Sequence, residues 1–136
     1  MRPLVHPPIG DISVEGILHA LSEPVRMAIY ARIVASDCPQ ICSDFLRLSE
    51  REIPKSTLSQ HFKILREAGL IRSERRGVEM HNTSRCAEID SRFPGLIAAI
   101  IQAHKRQSLQ SEGKRRATNS GSRKQAHAHR SRSADR

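Results

Sequence analysis

The sequence predicts a mainly α domain closed by one small β-hairpin. Three observations predict it. Apolar residues recur at helical spacing in several separate stretches, at 14–21, 24–35, 56–68 and 93–101. One stretch, 70–83, has strand-sized halves on either side of Arg76-Gly77, a turn pair. The chain has 136 residues of which 38% are hydrophobic, enough for one core and not for two.

The elements follow in order. MRPLVHPPIG has three prolines in ten residues and reads as an extended arm over 1–10. Asp11 or Ser13 can cap a first helix with Val14, Ile17, Leu18 and Leu21 on one face. Ser22-Glu23-Pro24 reads as a fresh start, with Ser22 as cap and Pro24 in the first turn, where its missing N–H costs nothing. Val25, Ala28, Ile29, Ile33 and Val34 then form an apolar stripe along 24–35. Ser36-Asp37-Cys38-Pro39 breaks that helix and can start a third, burying Ile41, Cys42, Phe45 and Leu46.

Pro54-Lys55-Ser56 opens the clearest helix, running to about Ala68. At 100° per residue, Leu58, His61, Phe62 and Leu65 cluster on one side. Ser56, Ser59, Gln60, Lys63 and Arg66 take the other, and Gly69 suits the position just past the end. Leu70 to Arg75 can form a strand and Val78 to Thr83 can return as its partner. A last helix is expected from about Ser84 or Asp90 to about His104, with Phe93, Leu96, Ile97, Ile100 and Ile101 as its stripe. The expected order is four helices, a hairpin and a helix.

Charge separates two kinds of basic region. The net charge of +9 at a pI near 10.5 points to a polyanionic partner. Residues 105–136 hold ten basic and two acidic residues, +8 in all. After Leu109 that tail has no Val, Ile, Leu, Met or aromatic residue, so it is expected to be disordered, as a solubilising extension or a weak electrostatic DNA arm. Residues 51–76 hold seven basic residues against three acidic, a local +4. The domain proper is therefore placed at 11–104.

A short helix, a tight connection, a polar-faced helix and a basic hairpin make a winged helix-turn-helix. The major groove admits one α-helix, and short Ser, Thr and Gln side chains can approach base edges there. Lys and Arg on the flanks reach phosphates and fix the register. The expected DNA contacts are Lys55, Ser56, Thr57, Ser59, Gln60 and Lys63 on the helix, with Arg75 and Arg76 at the hairpin tip. A polar helix face alone is usually just a solvated face; it is the combination with the basic hairpin, with Ala68-Gly69-Leu70 and with the upstream Pro24-Val25-Arg26 that points to double-stranded DNA.

LHALSEPVRMAIYARI (18–33) and KSTLSQHFKILREAGLIRSERRGVEMHNTSR (55–85) resemble the ArsR-type winged-helix transcriptional repressors. The match lies in Ser56-Thr57-Leu58-Ser59-Gln60-His61-Phe62, Leu65, Arg66-Glu67-Ala68-Gly69-Leu70 and Gly77, and it covers about 13–104. The resemblance implies a homodimer on an imperfect palindrome, repressing its own or a neighbouring operon, with 55–68 reading DNA and 75–77 as wing. Pairing of the first and last helices across a two-fold axis would bury their apolar stripes. The inducer stays unknown.

Some members of that family sense metals, and the corresponding ligands are incomplete here. Cys38-Pro39-Gln40-Ile41-Cys42 has C-x3-C spacing interrupted by proline, where the family uses Cys-x-Cys. Asp90 and His104 on the last helix lack a second pair, and His127 and His129 read as incidental. No metal and no cofactor is expected. His61, at the edge of the apolar face, reads as a packing and backbone-bonding residue rather than a metal ligand. A thiol switch using Cys38, Cys42 and Cys86 is the alternative, with Cys86 near a helix start that would lower its pKa. A general basic nucleic-acid-binding protein driven by the tail is the other.

Further classes are excluded by composition. No apolar run approaches the roughly 20 residues of a membrane span, and the N-terminus lacks the order of a signal peptide. Three cysteines do not make a disulfide scaffold, and a reducing, cytoplasmic setting fits. Asn82-Thr83-Ser84 is read as a chance glycosylation sequon. There is no Gly-rich phosphate loop, nucleophile elbow or carboxylate cluster, so no enzyme is expected.

Overall fold

The computed structural model describes residues 4–36, 38–46 and 52–130, with side chains as far as residue 121. Residues 1–3 of the arm, Asp37, residues 47–51 and residues 131–136 of the tail lie outside the described residues. Two compact units are present, Met1–Ile97 and Ala98–Arg136.

The first unit begins with the arm, which ends in a 3-10 turn at Ile9–Asp11. Helix α1 (Val14–Leu21) starts as expected at Ser13, whose Oγ accepts the Gly16 N–H at 3.0 Å. Helix α2 (Pro24–Ala35) is capped by Glu23 and not by Ser22. The longer carboxylate reaches the Arg26 N–H at 2.8 Å, while the Ser22 hydroxyl turns back and donates to the His19 carbonyl at 2.7 Å. The buried face of α2 is Met27, Ile29, Tyr30 and Ile33; Val25, Ala28 and Val34 are only half-buried. Arg26 is also buried, its Nε donating to the Ala20 carbonyl at 2.7 Å, so that it closes the last turn of α1.

The third helix differs from expectation over its described part. Pro39 disfavours helical backbone before it. Strand β1 (Gln40–Ile41) forms instead, followed by one 3-10 turn over Cys42–Phe45. Of the four residues expected to be buried there, Phe45 alone is fully so; Ile41, Cys42 and Leu46 are half-buried. Its ring meets Phe62 edge to face, with centroids 5.4 Å apart.

Helix α3 (Lys55–Glu67) holds Leu58, Phe62 and Leu65 in the core, as its periodicity predicts. Gly69 ends it at φ +82°, left-handed backbone that glycine enters without a Cβ penalty. Strands β2 (Ile71–Arg76) and β3 (Glu79–Ser84) pair antiparallel from Ile71 opposite Ser84 to Arg76 opposite Glu79. Strand β1 adds to the far edge of β3, with Gln40 opposite Asn82, giving the order β1-β3-β2. The hairpin forms where expected but turns one residue later, on Gly77-Val78 and not on Arg76-Gly77, because Arg76 still pairs with Glu79; the third strand is an addition to it.

The expected last helix is two helices. Helix α4 (Cys86–Arg92) stops before Pro94-Gly95, with Gly95 at φ +81° and its N–H held by Asp90 Oδ1 at 3.0 Å. Helix α5 (Leu96–Arg130) then runs for 35 residues. The expectation of a disordered tail from residue 105 is therefore not met as far as residue 130. The reason is that a nucleated helix propagates cheaply through Lys, Arg, Gln and Ala, and no proline stops it. Ser108, Ser111 and Thr118 donate to carbonyls four residues back, at 3.0–3.1 Å. The composition was right about burial: 105–121 is exposed throughout.

Candidate nucleic-acid interface

The interface is built on α3. Because Leu58, Phe62 and Leu65 point into the core, the helix's rotation about its axis is set. Lys55, Ser56, Thr57, Ser59, Gln60 and Lys63 are consequently all exposed. Lys63 lies 4.0 Å from Glu67 one turn on, an exposed pair too weak to hold it away from a phosphate. Arg66, grouped with this face by spacing, departs from it. It is half-buried, and its Nε donates to Ser73 Oγ at 3.1 Å.

The hairpin supplies the second surface. Arg75 and Arg76 are exposed beside Gly77, which turns at φ +63°. Arg76 makes an exposed contact with Glu74 at 3.4 Å. Val78, the second residue of the turn, is fully exposed, an apolar side chain at the projecting tip. Arg72 faces away toward Glu88 at 3.7 Å. Arg85, nearly buried, donates to the same carboxylate at 2.8 Å, and this holds Glu88 below the usual carboxylate range.

The three cysteines are free thiols. Cys38 is exposed, Cys42 sits half-buried against β3, and Cys86 is half-buried as the first residue of α4. Burial pushes the Cys42 thiol up, the opposite of what a reactive thiolate requires. His61 has a buried Nδ1 with no hydrogen-bond partner among the described residues. Those residues contain no group of three or more His, Cys, Asp or Glu side chains arranged to hold a metal ion.

The comparisons with known proteins fit this geometry. Residues 21–74 match a family profile described as a helix-turn-helix domain. The domain is a winged helix-turn-helix. Its fold is the ArsR-like one, as seen in three solved structures. M. tuberculosis Rv0081 is 22% identical, with 78% of this chain and 97% of that one covered at a TM-score of 0.52. Reduced HlyU from Vibrio cholerae N16961 is 21% identical, covering 67% and 84% at 0.51. An ArsR family transcriptional regulator, RHA00566, is 20% identical, covering 72% and 96% at 0.50. Among curated proteins, none matches the chain by sequence.

In the winged helix-turn-helix fold, α3 takes the place of the second helix of the helix-turn-helix and the β2–β3 hairpin that of the wing. No helix among the described residues is long and apolar enough to cross a membrane. Sequence reasoning missed the buried polar residues behind the wing, Ser73 and Asn82. Their signal was present: both are inward-facing positions of strands, where an apolar residue is the default.

Proposed function

We propose that this protein is a cytoplasmic transcriptional regulator of the ArsR type, a homodimer that represses by occupying an imperfect palindrome. The observation that carries the reading is the recognition helix. Its apolar side is locked in the core, which leaves Ser56, Ser59 and Gln60 outward between the cationic Lys55 and Lys63. Base-edge donors and acceptors flanked by phosphate-seeking charges are what groove reading needs. Arg75 and Arg76 on the wing add phosphate or minor-groove contacts.

Dimerisation is supported by apolar surface on two helices. Leu18 of α1 is 51% exposed. Leu96 and Ile100 of α5 are only half-buried. Two-fold pairing through α1 and α5 would cover these residues and place two recognition helices about one DNA turn apart, roughly 34 Å.

Selection of bound sequences from random duplexes, followed by gel-shift titration, tests the reading. Enrichment of an inverted repeat bound by two chains is expected. Recovery of no preferred sequence would remove the assignment.

A further inference from the structure

Behind the wing lies a chain of polar contacts that no phosphate or base contact requires. Asn82, in the middle of β3, is 0% exposed. Its Nδ2 donates to the Gln40 carbonyl at 3.1 Å and to the Met80 carbonyl at 3.2 Å, and also faces Cys42 Sγ at 3.3 Å. Its Oδ1 accepts the Ser73 hydroxyl at 2.7 Å. The same hydroxyl oxygen accepts Arg66 Nε at 3.1 Å. The chain therefore runs from the last turn of α3 through β2 and β3, ending on β1, on β3 itself and on the 3-10 turn that follows β1.

Stability alone does not account for it. Buried polar groups commonly hold a fold no better than apolar residues of the same size would. What they add is direction. Apolar contacts slide at little cost, whereas a buried amide that loses a partner incurs its desolvation penalty in full. A fully satisfied chain thus admits one relative placement of the helix and the sheet. The wing is a lever on that placement. From Ser73 to the turn at Gly77 is about 13 Å of strand, so a swing of about 15° moves the tip by about 3 Å, a whole hydrogen-bond length.

We infer that Ser73 and Asn82 are positioning residues which, through Arg66, set the angle between recognition helix and wing, and so allow both to engage one stretch of DNA together. The inference rests on reading α3 as the recognition helix. It assigns specificity to residues that touch no DNA.

A double-mutant cycle tests it. On the duplex selected by the natural chain, Arg76→Ala is expected to weaken binding about tenfold, the value of one charge-assisted contact. In a Ser73→Ala/Asn82→Leu background the wing is no longer aimed, and Arg76→Ala should cost less than about twofold. A merely structural role would lower the melting temperature and every affinity, yet leave the cost of Arg76→Ala unchanged. Equal costs in the two backgrounds overturn the inference. Should the double replacement fail to fold, Arg66→Lys keeps the charge and removes the Nε contact. The cost of Arg76→Ala is then expected to fall to about threefold, and an unchanged cost overturns the inference as before. If the natural chain selects no sequence, the DNA reading fails and the inference with it. If it selects one and the cycle is additive, only the inference falls.

Discussion

His6 Nε2 accepts the backbone N–H of Ser73 at 3.0 Å, joining residues 67 positions apart. The contact lays the N-terminal arm on the outer edge of β2, a strand whose other side is paired with β3. The bond occupies one backbone donor on that open edge, next to the wing. Arginines hold the rest of the arm: Arg85 donates to the Pro7 carbonyl at 2.8 Å, and Arg92 to those of Ile9 and Gly10 at 2.7 and 3.0 Å.

The bond makes the arm sensitive to pH. An accepting Nε2 must be unprotonated. Burial first, and then the charges of Arg72, Arg66 and Arg85, hold His6 below its ordinary value of 6.5. The unfolded chain then binds more protons than the folded one, so stability is complete above about pH 6.5 and is lost as pH falls through the folded value. Melting temperature measured from about pH 7.5 down to about pH 5 should fall less steeply in His6→Ala than in the natural chain. The Ser73 amide should exchange faster with solvent as pH drops, once the intrinsic pH effect is corrected. Parallel melting curves for the two chains would exclude this role for His6.

Gly69 is where the arm, α3 and the wing converge. It needs left-handed backbone at φ +82°, and a Cβ there would overlap Ile12 Cδ1 and Cγ1 and meet Pro7 Cγ at 3.5 Å. Strain and overlap add, so Gly69→Ala is expected to cost about 2–4 kcal/mol in urea unfolding. Gly77, also at positive φ but with nothing within 4 Å, should lose less on the same substitution.

Arg26 caps α1 from within α2, through Nε to Ala20 and Nη2 to the His19 carbonyl at 3.4 Å. Removing it takes the Nε donor from the buried Ala20 carbonyl, while the His19 carbonyl keeps the Ser22 hydroxyl. Arg26→Ala should destabilise by about 2–3 kcal/mol. Arg26→Lys, which lacks the forked geometry, should recover only part of the loss, as read by chemical denaturation.

On the DNA face, Ser59→Ala and Gln60→Ala should lower operator affinity by about 1–3 kcal/mol while sparing non-specific binding. Arg76→Ala should weaken both and reduce the salt slope by about one. Gel-shift titrations at several salt concentrations separate the two patterns, and identical behaviour of all three variants would contradict the division of labour.

The basic extension gives a last contrast. A chain ending at residue 104 loses a net charge of +8. It is expected to keep its preferred sequence and to show a shallower salt dependence. Complete loss of DNA binding would instead favour a general nucleic-acid binder driven by the extension.

Much of the interface is legible from residues alone. Leu58, Phe62 and Leu65 recur at helical spacing, so the outward face of α3 follows from the helix period without any tertiary information. Gly77 likewise announces a turn locally, although the turn proper is Gly77-Val78, one residue past the expected pair. Strand β1 is not legible, because two residues carry no period and pair only through a partner 42 positions away. The extent of α5 was misjudged because composition reports whether a segment can be buried, and helix formation along an exposed segment is a separate question.

The sequence by itself determined which helix faces outward, where the wing turns and that the large positive charge sits mainly beyond the domain. Each depends on near neighbours in the chain. Tertiary structure alone decided that Arg66 turns inward to Ser73, that Asn82 becomes the buried junction of three strands and that His6 returns to the edge of β2. Those contacts join residues that the chain holds apart, and a polar side chain's preference for water is overruled only when folding brings it a partner.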